Sequence, residues 1–277
     1  MTSRLTGAIL RAGLVMAVVT MPAGVLIEVS ADTKQMVTFA AILLGIITLT
    51  EYNSVYPSLI EFRDAAPYNR LRFTMLATTL AVLSIPHSQT ILPNVVQAPL
   101  LNIADQVGQA MDFPFSPVRL VAQLASEGSL ENQVLLRNAA GLAYMVCLLW
   151  LAIFALAVRI GGWPSTKRPL NIWVNLPMFD PTVGRDVVLR LARDGRLNIL
   201  VGFLLPFVVP VLAKLLLGRP GLVDDVQLHS LIWMTALWAF LPAALILRGL
   251  ALLRVAELIV QTRAAHGAKQ DKSFAPA

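Results

Sequence analysis

The chain has 277 residues, 57% of them apolar and 14% charged, with a net charge of +6. Its apolar residues fall in more long uncharged runs than a soluble domain of this size can bury, which excludes a soluble fold. The single cysteine, Cys147, excludes an intramolecular disulfide and a cysteine-based metal site. The basic excess forms no stripe interleaved with aromatics, so nucleic acid is not an expected partner.

A hydrocarbon core about 30 Å thick takes about 20 helical residues. The apolar runs therefore predict an all-α, polytopic membrane helix bundle of about six transmembrane helices, spanning residues 7–28, 34–53, 71–92, 136–159, 197–216 and 227–248. Residues 1–263 are expected to form one domain. The first run follows Arg4 and Arg11 and ends in Val29, Ser30 and Ala31, as a cleaved signal peptide would. A second apolar run follows at once, however, as in a helical hairpin, and a retained first helix is the expectation.

The segment 51–72 between spans two and three holds three of the four tyrosines and balances three acids against three arginines. Glu51, Tyr52, Tyr56, Glu61, Arg63, Asp64, Tyr68, Arg70 and Arg72 are accordingly the candidate partner-binding residues. Glu61 and Asp64 are expected to pair with Arg70 and Arg72 and fix the loop, which would present the three tyrosines. The blander alternative is an interfacial aromatic belt beside basic residues. Span three is kinked near Pro86.

The outer loop 87–137 is too long for a simple connection. Apolar residues at helical spacing in 99–111 and 117–126 predict amphipathic helices, lying in the outer interface or capping the bundle. The inner loop 160–196 opens with an irregular stretch carrying Trp163 and Trp173 at headgroup level. It continues as a basic amphipathic helix over 182–193, whose Arg185, Arg190 and Arg193 are candidate contacts to anionic lipid headgroups. Asp186 and Arg190, four apart, are expected to pair along it. Pro206 and Pro210 interrupt span five and Pro242 interrupts span six. A helix continues over 249–262, and 264–277 is expected to be a disordered cytoplasmic tail.

With the N-terminus in the cytoplasm, 17 basic residues fall on the inner side and 5 on the outer, while the acids divide 8 and 8. That bias, confined to Lys and Arg, places both termini in the cytoplasm. Arg outnumbers Lys heavily, in keeping with a bacterial inner (cytoplasmic) membrane protein.

No HExxH, GxSxG, Walker A or GxGxxG pattern is present. His87, His229 and His266 make no metal set, and no acid lies in mid-span, where a coupled transporter keeps its carboxylates. No cofactor is implied. The function expected first is therefore non-catalytic: an assembly factor, scaffold or accessory subunit that binds other membrane proteins. The alternatives are a channel or uncoupled transporter of a small solute through the proline-broken spans five and six, and a lipid-modifying enzyme at the inner headgroup level.

Overall fold

The computed structural model describes residues 2–27, 29–88, 93–125, 129–164, 171–179, 186–217 and 226–273. Among these the chain is all-helical. In lipid an open strand leaves its backbone amides unsatisfied, whereas a helix satisfies them internally. Helix α1 (Thr2–Val25) turns into α2 (Ala31–Asn53). The Ser30 hydroxyl accepts from the Thr33 amide at 3.2 Å, and Asp32 sits in the first turn of α2, where the helix dipole favours an acid. Helix α3 (Tyr68–Ser84) ends in a 3-10 turn, Ile85–His87. Two helices of the segment 87–137 follow, α4 (Asn94–Met111) and α5 (Pro117–Ala122). Then come α6 (Leu130–Arg159), the single turn α7 (Ile172–Asn175), α8 (Val187–Leu217) and α9 (Leu228–Ser273).

Five of these helices, α1, α2, α6, α8 and α9, are long and apolar enough to cross a membrane. The chain is a helical, multi-pass membrane protein. Helix α3 has 17 residues, a rise of about 26 Å at 1.5 Å per residue, and the sixth crossing expected there is not among the five.

Helix α9 is the axis of the bundle, packed against α8, α6, α3 and α1. Its Ala236, Ala239, Ala243 and Ala251 are buried together with Met75 and Leu80 of α3 and with Ala143, Cys147 and Phe154 of α6. Small side chains let membrane helices approach until backbone and side chains interdigitate. The tightest approach is between α8 and α9. A Cβ added to Gly249 would stand 2.6 Å from the Gly195 carbonyl, and one added to Gly202 would stand 2.6 Å from the Pro242 carbonyl. Pro210 has no N–H to offer the carbonyl four residues before it, that of Pro206. Trp238 of α9 supplies the missing donor, its Nε1 reaching that carbonyl at 3.2 Å.

The helix expected over 182–193 is no separate surface helix. Residues 182–185 lie outside the described residues, and from Val187 the chain runs unbroken to Leu217. Leu191 is fully buried, and Val187 and Val188 pack on the main core, so this apolar face meets protein. Helix α9 likewise runs through Ser273 where a disordered tail is expected. Ala264, Ala265, Ala268, Lys269 and Gln270 are strong helix formers, and no proline interrupts them. At about 1.5 Å per residue its 46 residues reach about 69 Å, more than twice the hydrocarbon core.

In the outer loop α4 begins five residues before the expected start, with Pro99 inside it. It docks on α6 at small residues: a Cβ on Gly141 would stand 2.8 Å from the Gly108 Cα. Arg137 and Asn138 of α6 both donate to Asp105 Oδ1, at 2.7 and 3.1 Å.

Candidate functional site

The richest polar cluster lies where the ends of α2, α3 and α6 meet the middle of α9. Glu51, in the last turn of α2, is buried. Its carboxylate accepts from the successive amides of Ser58, Leu59 and Ile60 at 2.9, 2.9 and 3.1 Å, and from the Ser58 hydroxyl at 2.6 Å. Successive amides of this kind make a concave anion seat. Arg63 closes the same turn from the other side, donating to the carbonyls of Glu51 at 3.1 Å and Ser54 at 2.7 Å. These carbonyls have no intrahelical partner at a helix end.

Glu61 does not pair with Arg70 or Arg72. Its carboxylate takes both arms of Arg248 of α9, with Nε to Oε2 at 2.6 Å and Nη2 to Oε1 at 2.7 Å. Asp64 pairs with its neighbour Arg63 at 3.3 Å. Arg70 is exposed, and the Arg72 guanidinium lies over the Tyr68 ring, 5.9 Å from its centre. The loop is thus ion-paired, but to α9 and to itself.

Between Glu61 and Asp64 the chain takes a left-handed step at Phe62, with φ of 53°, which costs an ordinary residue about 1–2 kcal/mol. Asn175 holds it there. Its carbonyl accepts the Phe62 amide at 2.6 Å, and its side-chain oxygen accepts the Asp64 amide at 3.1 Å. The step drives the Phe62 ring into a cluster with Tyr68, Phe154 and Trp163, whose centroids are 4.6 to 6.0 Å apart. Trp163 Nε1 donates to the Ala65 carbonyl at 3.1 Å, and Arg254 of α9 donates to the Trp163 carbonyl at 3.1 Å.

The three tyrosines therefore differ. Tyr68 is fully buried and presents nothing to a partner. Tyr52 is half-buried, with the Arg11 guanidinium 4.7 Å above its ring. Tyr56 is 77% exposed. Tyr68→Ser is expected to destabilise the protein by about 3 kcal/mol or more, as loss of a buried aromatic does, while Tyr56→Ser stays within about 0.5 kcal/mol of the parent. Thermal unfolding of the two variants in the same detergent checks the contrast.

Of the headgroup candidates, Arg185 lies outside the described residues. Arg190 stacks on Phe179, 4.5 Å from the ring centre, and Arg193 is exposed, 3.2 Å from Asp194. Asp186 pairs across to Arg263 of α9 at 3.0 Å and not along its own helix. The hydrogen bond from Arg263, aided by the Val188 amide, holds the Asp186 carboxyl below its ordinary range.

The opposite end carries a cavity of about 320 Å³ lined by His87, Gln227 and His229 with Leu26, Ile27 and Val29. The two histidines share this cavity, and His229 Nε2 has no hydrogen-bond partner among the described residues. Among the described residues no three His, Cys, Asp or Glu side chains are grouped to hold a metal.

Phe62, Trp163, Asn175 and Arg248 were not singled out as site residues by sequence. The hydrogen bonds that join Trp163 to Ala65 and Arg254, Asn175 to Phe62 and Asp64, and Arg248 to Glu61 bridge separations of 91 to 187 residues, which leave no local spacing to read. No family model, no curated protein and no solved structure matches this chain.

Proposed function

We propose that this chain is a bacterial inner-membrane protein with six spans and both termini in the cytoplasm, and that it binds other membrane proteins as an assembly factor, scaffold or accessory subunit. One observation carries the reading: among the described residues α2 packs on α1 and on no other helix to a comparable extent. Phe39, Ile42 and Ile46 stand exposed along it, and the loop that follows adds exposed Val55, Tyr56 and Leu59. A partner with a transmembrane helix and a cytoplasmic edge fits such a strip. The Glu51 and Glu61 contacts hold the loop in one shape, so the partner meets a preformed surface and the ordering cost at binding is small. The arginines of the inner end face anionic headgroups. Exposed Val95, Val96 and Ile103 on α4, with Phe113 and Phe115 beyond it, suit immersion in the outer interface.

Co-purification from native membranes in mild detergent tests the role. A stoichiometric membrane partner is expected, lost when Phe39, Ile42 and Ile46 are replaced together by Ala. A chain that purifies alone from native membranes overturns the reading. Orientation is tested with single cysteines at Leu130 and Gln261 in a Cys147→Ser background. The first should label with an impermeant thiol reagent in intact cells and the second only after lysis; the reverse pattern inverts the topology.

A second reading, passage of a small solute through spans five and six, draws on an apolar cavity that Pro210 and Pro242 help to line. Solute uptake by proteoliposomes of the pure protein decides it.

A further inference from the structure

The cavity between α5, α6, α8 and α9 has a volume of about 360 Å³. Its floor is made by Val121, Leu136, Leu231 and Thr235, all buried, and by Trp238; its rim by Met234 and Leu241, both half exposed. Spans five and six form its two long walls, so the recess lies within the hydrocarbon layer and opens sideways into it.

Three things could occupy such a recess. Water needs two to four polar partners to stay in a protein cavity. The Trp238 Nε1 is already bound to the Pro206 carbonyl, and the rest of the lining is almost wholly hydrocarbon. An empty recess would forfeit the dispersion contacts of every side chain around it. A hydrocarbon chain fills it without either penalty, and the bilayer supplies one at the rim. We propose that this cavity is a binding site for a single acyl chain of an outer-leaflet phospholipid, entering between Met234 and Leu241 and ending against Val121 and Leu136. Helix α5 packs on α6 and α8 and closes the outer end of the recess, which separates the seated chain from the lipids that merely surround the protein. The site depends on neither the scaffold nor the solute reading; only the choice of leaflet rests on the proposed orientation.

The probe is phosphatidylcholine with brominated acyl chains, which quenches tryptophan on contact, with the protein in nanodiscs of graded brominated content. The Trp238 signal is the difference between the parent and Trp238→Phe. It is expected to saturate at a low brominated fraction in the parent. In Ala213→Phe, which fills the recess, it should instead rise in proportion to that fraction. Native mass spectrometry of the parent should show one phospholipid retained after detergent washing and absent from Ala213→Phe. Proportional quenching of Trp238 in the parent itself, with no retained lipid, overturns the proposal and requires no variant of the recess to fold. Equal retention by the parent and Ala213→Phe overturns it as well.

Discussion

Replacing Glu61 by Ala is expected to lower stability by about 3 kcal/mol, the lower end of what breaking a buried ion pair costs. The Glu61 side chain is 9% exposed and that of Arg248 33%, so the arginine keeps some access to water and the loss falls short of the full penalty. Glu61→Ala leaves a guanidinium in the middle of α9 without its counter-charge. Arg248→Met leaves a buried carboxylate, the costlier orphan of the two. The double variant Glu61→Ala/Arg248→Met is expected to recover part of the loss, because neither charge then remains unpaired. Unfolding of all four proteins in one detergent gives the coupling energy directly. A coupling near zero would mean that the two residues do not depend on each other.

Gly249→Leu is expected to separate α8 from α9. Even Gly249→Ala must push its Cβ against the Gly195 carbonyl and the Ile199 side chain, each 2.6 Å away. Backbone cannot swing aside as a side chain can, so the overpacking cost of about 1–3 kcal/mol applies to the smallest substitution. Gly13, in the middle of α1, is the control. Nothing lies within 4 Å of its Cβ position, and Ala there relieves the entropic cost of a helical glycine, a gain of about 0.5–1 kcal/mol. The same chemical change should therefore lower the melting temperature at one site and raise it at the other. Equal effects would show that the α8–α9 contact has room to relax.

The membrane helices were legible because lipid imposes one rule on every residue of a span, and composition alone reveals it. Helix ends were less so. The break expected between 193 and 197, where a charged stretch looks like a stop signal, is absent from α8. A helix can continue past the bilayer when a neighbour covers it, as α9 covers Leu191. In the loop 51–72 composition showed that charges would pair but not which ones. The Glu61 partner stands 187 residues away, whereas Arg70 and Arg72 were merely near in sequence. The tyrosines misled for a related reason. An aromatic ring beside arginines suits an interface, and only the left-handed step at Phe62 shows that Tyr68 faces inward. The glycine contacts at 195, 202 and 249 leave no signature within either helix taken alone. Here Gly195 and Gly202 on α8 meet Gly249 and Pro242 on α9, each pair seven apart.

The knot at the inner end also sets an order on biogenesis. Glu61 enters the membrane boundary with the first hairpin, yet Arg248 and Arg254 emerge from the ribosome only after all the other helices. Until then the loop has its Glu51 seat but lacks its clasp, and the aromatic cluster lacks the arginine that holds Trp163. A chain stopped after α8 would insert its earlier helices and still hold Glu61 without the arginine that takes both its oxygens.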